Sequence, residues 1–201
     1  MSADTRPDAG ETALRARNLR TLAVLAGLFL LPLAGSFFAY YATSWRPAAH
    51  VNHGVLLDPV HTLPALAVPG TTQPLFRGSW SLVYVGDGAC DDDCRAALYF
   101  ARQTRLGLAN DMTRVARVFV VTADCCAREV LAEAEPGLAV VDATPGSVAA
   151  ALGAQFPAAG RTHALYVVDP LGNLMMSYDV RSNPHGLLED LKKLLRLSHI
   201  G

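Results

Sequence analysis

Apolar residues divide this chain into two kinds of segment. One is a single long run, Thr21 to Tyr41, "TLAVLAGLFLLPLAGSFFAYY", without a charged side chain. About 20 apolar residues match the hydrocarbon thickness of a bilayer, so the run predicts a transmembrane helix. A buried core helix would carry a polar face, and none is visible here. The other kind is short. "SLVYVG", "VARVFVVT", "LAVVD" and "HALYVVD" are continuous apolar runs of strand length, as expected of strands covered on both faces. Helical patterns separate them. "CRAALYFARQTRLGLA" can be capped by Asp92 or Asp93 and runs to about Ala109, and "AREVLAEAE" predicts a short helix. "TPGSVAAALGAQF" offers Thr144 as N-cap and Pro145 at the first helical position. "PLGN" reads as a tight turn leading to a hairpin strand, "LMMSYD". In "NPHGLLEDLKKLLRL", Asn183 and Pro184 start a last helix whose Leu187, Leu188, Leu191, Leu194 and Leu195 share one face.

The resulting order, β-α-β-α-β-α-β-β-α, implies an α/β fold with a mostly parallel sheet and helices on both faces. The closing hairpin and helix resemble the thioredoxin fold with one extra βα unit inserted. The expected fold class is therefore α/β, a thioredoxin-like mixed sheet flanked by helices, with one N-terminal transmembrane helix. Residues 1–20 read as a cytoplasmic tail and 21–41 as the transmembrane helix. Residues 42–75 read as a tether that adds a short strand or hairpin, and 76–201 as the thioredoxin-like domain. Orientation comes from charge. Arg15, Arg17 and Arg20 precede the apolar run and only Arg46 follows closely, which places the N-terminus in the cytoplasm and the domain outside, in the periplasm. Phe37, Phe38, Tyr40, Tyr41 and Trp45 would form the outer interfacial belt. A cleaved signal peptide would have a shorter apolar core and a small-x-small site, so an uncleaved anchor is expected.

Charge narrows the partners. The 201 residues carry a net charge of -1 and no long basic run, which argues against nucleic acid. The 4 cysteines are too few for a disulfide scaffold, and they are grouped: Cys90 with Cys94, Cys125 with Cys126. In an α/β sheet, loops at the carboxyl ends of parallel strands gather along one edge. "VGDGACDDDC" follows the first strand and "TADCC" the second, so both pairs are expected on that edge. His163 begins "HALYVVD", a strand expected to run antiparallel, which brings it to the same edge. Cys90 and Cys94 read as a metal site, a redox dithiol or a structural disulfide. Asp91, Asp92 and Asp93 disfavour a free thiolate while the helix N-terminus favours one. Cys125 and Cys126 read either as one buried and one exposed thiol or as a second exchanging pair. His50, His53 and His61 fall in the tether and are expected to be solvated. His185 and His199 are set aside. Adjacent strand residues face opposite ways, so Met175 and Met176 are expected one in the core and one outward, neither a metal ligand.

Membrane anchor, "SLVYVGDGACDDDC" and "RTHALYVVDPLGNLMMSY" together resemble the Sco/SenC family of membrane-anchored copper chaperones. That family has a C-x-x-x-C loop after a strand and a distal histidine before a Y-x-V/I-D-P-x-G hairpin. Its usual prolines after each cysteine are replaced here by Asp91 and Arg95, and its S-V/I-D-P-x-R-D segment by "TADCCARE". The resemblance implies a copper-binding domain in which Cys90, Cys94 and His163 are the ligands and Cys90 and Cys94 also carry any thiol chemistry. The donor set suits copper: thiolates select Cu(I), and an added imidazole admits Cu(II). A structural zinc site would call for four protein ligands. The resemblance further implies a metallochaperone of the inner membrane, with possible thiol-disulfide reductase activity, serving the copper-site subunit of cytochrome c oxidase. The alternatives are a metal-free, membrane-tethered thiol-disulfide oxidoreductase and a non-catalytic oxidase assembly subunit.

Overall fold

The structure, a computed structural model, describes residues 9–42, 52–67, 73–123, 135–158, 161–182, 184–198 and 200–201. Its contacts separate two units, Met1–His50 and Val51–Gly201.

The first unit is one helix, α1, Ala9–Ala42. Its stretch Leu14–Ala42 has 29 residues, of which 18 in succession reach a mean hydropathy of 2.2 with none of them buried against protein. At about 1.5 Å per residue it exceeds the roughly 30 Å of a bilayer core. Leu22, Leu28, Phe29 and Phe38 all lie exposed. Such a surface is stable only in an apolar medium, so α1 is a helix long and apolar enough to cross a membrane.

The second unit is built on a six-stranded sheet in the order β1-β6-β5-β2-β3-β4. The strands are β1 Val55–Thr62, β2 Trp80–Asp87, β3 Val115–Ala123, β4 Leu138–Asp142, β5 Ala164–Val168 and β6 Asn173–Asp179. β2, β3 and β4 are parallel, while β5, β6 and β1 add in antiparallel steps. The sheet is thus mixed, a thioredoxin-like arrangement. β1 lies within the stretch read as a tether.

Side chains alternate along β2. Trp80, Leu82 and Tyr84 enter one hydrophobic cluster, Val83 and Val85 the other. Two helices cover the first face: α2, Asp92–Gly107, through Ala97, Leu98 and Ala101, and α3, Pro184–Leu197, through Leu187, Leu191 and Leu195. The second face is covered differently from expectation. Among the described residues no α-helix lies on it; Leu63, Leu75, Phe76, Leu152 and Phe156 from loops and turns close it.

Three expected helices need comment. "TPGSVAAALGAQF" is not an α-helix. It runs as successive turns, with Ser147 N–H donating to Thr144 O and Ala150 N–H to Ser147 O, and ends in a 3-10 turn at Gly153–Gln155. Thr144 folds back to donate to Asp142 Oδ1, and Gly146 takes φ +92°, outside helical space. α2 ends at Gly107 and gives way to a 3-10 helix, Ala109–Arg114. The segment "AREVLAEAE" falls almost wholly among residues 124–134, outside those described.

Candidate functional site

Cys90 sits in the turn between β2 and α2 and Cys94 in the first turn of α2, and the two are joined as a disulfide. Both residues are buried and belong to the cluster under α2 and α3. The local chain explains the turn. Asp87 Oδ1 accepts from Ala89 N–H at 2.8 Å, and Cys90 N–H donates to Asp87 O at 3.2 Å. Cys90 adopts φ +47°, a left-handed conformation that costs a residue with a Cβ about 1–2 kcal/mol. The cap of α2 is Asp91, not Asp92 or Asp93. Its Oδ1 accepts from Cys94 N–H at 2.9 Å, satisfying one of the free donors of the first turn. Asp92 points to solvent and pairs with Arg95 at 2.9 Å.

His163 closes a 3-10 turn, Arg161–His163, immediately before β5. Tyr84 lies opposite Leu165 in the β2–β5 ladder, so the residue before Ala164 falls beside the end of β2 that carries the cysteine loop. The Tyr84 hydroxyl donates to Thr162 O at 2.9 Å and pins the turn there. His163 O also accepts from Val180 N–H at 3.0 Å. The ring has partners of its own. Nδ1 lies 3.0 Å from Thr162 Oγ1, and Nε2 lies 3.7 Å from Asp179 Oδ2. Arg181 hydrogen-bonds Asp179 and holds that carboxyl below the usual range. Burial, reinforced by the charges of Asp91 and Asp93, pushes the Tyr84 hydroxyl up to about 12.

Among the described residues, no group of three or more His, Cys, Asp or Glu side chains is arranged to hold a metal. With the sulfurs bonded to each other, neither is a thiolate. Binding a soft ion there requires prior reduction by an external dithiol, with two electrons and two protons entering the pair. Cys125 and Cys126 lie outside the described residues.

Sequence reasoning missed several participants. Tyr84 reads as one more apolar strand residue; only the antiparallel β5 reveals its hydroxyl as a clamp. His53, expected to be solvated, is instead clasped by α3. Its backbone N–H donates to Asp190 Oδ2 at 2.7 Å and its Nδ1 lies 3.2 Å from Asp190 Oδ1. Asp190 is buried and also accepts from Gly54 N–H and, at 2.5 Å, from the Tyr178 hydroxyl. Burial opposes its ionisation, but these hydrogen bonds prevail and hold the carboxyl low. A Cβ at Gly54 would run into the Tyr178 ring, so glycine there lets the clasp close. His61 lies exposed on β1 and His185 exposed on α3; His50 and His199 are outside the described residues.

Comparison with known families matches residues 80–198 to the transmembrane-like, thioredoxin-like, C-terminal domain family. The chain belongs to that family. The matched span covers β2 through α3, including the cysteine turn and His163. No curated protein matches. Among solved structures, apo Sco1 from Thermus thermophilus is similar at 22% identity, with 73% of this chain and 99% of that one covered and a TM-score of 0.50. Copper-bound ScoI from Bradyrhizobium japonicum is 17% identical, covering 59% of this chain and 86% of that chain, TM-score 0.46. Copper-bound yeast Sco1 is 18% identical, covering 61% of this chain and 82% of that chain, TM-score 0.47. At these identities the likeness to the Thermus protein establishes the shared fold.

Proposed function

We propose that this protein is a membrane-anchored copper chaperone of Sco type, whose cargo ion is held by Cys90, Cys94 and His163 after the disulfide is reduced. The observation that carries the reading is the convergence of the C-x-x-x-C turn and the His163 turn at one sheet edge, tied together through Tyr84. Two thiolates and one imidazole form a donor set that tolerates both Cu(I) and Cu(II). Loading displaces the two thiol protons. The client on this reading is the copper-site subunit of cytochrome c oxidase. The setting is the outer face of a bacterial inner membrane, with the domain in the periplasm.

A second reading is favoured by the disulfide itself. Reduced Cys90 and Cys94 could pass two electrons and two protons to a client disulfide and return to the bonded form, with no metal involved. One experiment separates the two. The reduced full-length protein in detergent is titrated with copper, alongside His163→Ala and Cys90→Ala. The chaperone reading expects one copper per chain, loss of the Cu(II) sulfur-to-metal charge-transfer band in His163→Ala with Cu(I) binding weakened only moderately, and loss of both in Cys90→Ala. Identical copper spectra and affinities in wild type and His163→Ala would remove the three-ligand site. Turnover of a disulfide substrate without copper binding would select the oxidoreductase.

A further inference from the structure

The expectation for Met175 and Met176 was opposite faces, and the structure overturns it. In the β5–β6 ladder Val168 pairs with Leu174 and Val167 with Met176, so three residues of β6 stand against two of β5. Met175 is the extra residue of a β-bulge. Leu174 accordingly belongs to the cluster on one face of the sheet and Met176 to the cluster on the other, although two positions apart they would share a face in a regular strand. Met175 packs against the same cluster as Met176. Both methionines line one cavity of about 210 Å³, together with Asn52, Leu56, Asp190, Lys193, Leu194 and Leu197. None of Cys90, Cys94 or His163 lines it. Met176 is buried, its Sδ 3.8 Å from the Tyr178 hydroxyl, and Met175 is half-buried.

We propose that Met175 and Met176 form a binding site for a soft monovalent metal ion, Cu(I) in the cell, separate from the cysteine turn. Thioethers are soft, neutral donors that select Cu(I) over hard cations. Methionine often serves merely as a flexible filler of cores. A filler needs no bulge, whereas here the ladder gives up regular pairing and the second thioether arrives on the same face as the first. The ionised Asp190 and the cationic Lys193 both border the cavity, so their charges offset and selectivity rests on sulfur. Na⁺, Mg²⁺ and Ca²⁺ should therefore not compete. Thioethers neither titrate nor form disulfides, so the site stays competent while Cys90 and Cys94 are bonded to each other and cannot coordinate. The proposal does not depend on the cysteine site being a copper site.

The test uses the full-length protein in detergent with the Cys90–Cys94 disulfide intact and Cys125 and Cys126 both replaced by serine. Its 4 methionine methyl groups are labelled with ¹³C and titrated with Ag⁺, a redox-inert analogue of Cu(I). The methyl signals of Met175 and Met176 should shift together and saturate at one equivalent, with Met1 and Met112 unmoved and excess Mg²⁺ without effect. Met175→Leu and Met176→Leu, nearly volume-conserving changes, should each weaken binding on the order of tenfold or more. A second measurement avoids the serine substitutions: oxidised wild type should bind one more Ag⁺ per chain than its M175L/M176L variant. Absence of a joint shift, equal shifts at all four methionines, or equal Ag⁺ stoichiometry in that last pair overturns the proposal.

Discussion

Tyr84→Phe tests the link between the sheet and the histidine turn. The ring stays, so its packing on Phe119, with centroids 5.4 Å apart, is retained. What is lost is one neutral hydrogen bond, Tyr84 Oη to Thr162 O. Thr162 is exposed, so water can reach the freed carbonyl, and the cost falls near about 1 kcal/mol rather than the full penalty of a buried orphan. The same hydroxyl gives the difference a pH dependence. Its folded pKa of about 12 stands above the unfolded value near 10. A raised acid of this kind contributes stability that is complete below pH 10 and is lost as pH climbs through 12. At pH 11 the wild type has lost roughly 1.4 kcal/mol of it by linkage. That figure is an upper bound, because the hydroxyl lies toward the sheet edge, where solvent screens Asp91 and Asp93. Tyr166 and Tyr178, also raised by burial, are common to both proteins and cancel in the difference. Urea unfolding of the full-length protein in detergent at pH 7.5, 10 and 11 should show wild type ahead by about 1 kcal/mol at neutral pH, with the gap closing by pH 11. A gap that does not change with pH would refute the assigned titration, and a neutral gap above about 3 kcal/mol would refute a solvent-replaceable bond.

Asp91→Ala should destabilise the domain by about 1 kcal/mol in denaturant unfolding, and Asp91→Asn should restore most of it, since asparagine also caps. Equal losses would mean that Asp91 acts by charge instead. Asp190→Ala should cost on the order of 3 kcal/mol, because Tyr178 and two backbone N–H groups lose a buried charged acceptor. Its folded pKa is depressed, so this deficit should be present above the unfolded value near pH 4 and shrink as pH falls through the folded one, in acid unfolding curves of both proteins. Reduction of the Cys90–Cys94 bond, which closes a loop of separation 4, should lower stability by about 2 kcal/mol, measured as the denaturant midpoint with and without a thiol reductant.

The amino-acid order by itself determined the elements whose apolar pattern is long or continuous. Thr21 to Tyr41 needs no tertiary context, because an uncharged run of that length has no stable surface in water. β2, β3, β4 and β5 could be read because strands covered on both faces need unbroken apolar runs, β6 because a tight turn leads from β5 into it, and α3 because its leucines recur on one side. The place of Cys90 and Cys94 where β2 passes into α2 followed from the same patterns.

What lies across strands could not be read. A short strand or hairpin was expected within 42–75, but not its place in the sheet: Val55–Thr62 is nearly all exposed and carries no burial pattern, and β6 makes it a strand by supplying hydrogen-bond partners. The helix expected after Thr144 has favourable local residues, yet Asp142 captures the threonine hydroxyl and Gly146 turns the chain aside. Tyr84 touching Thr162, and His53 and Tyr178 meeting on Asp190, join residues 78, 137 and 12 positions apart. The side on which Met175 stands depends on a bulge, and a bulge is a mismatch between two strands, so neither strand's sequence alone contains it. Periodicity reports which side of an element is apolar; only the folded chain decides which polar tips meet, because those meetings are set by register and crossing rather than by composition.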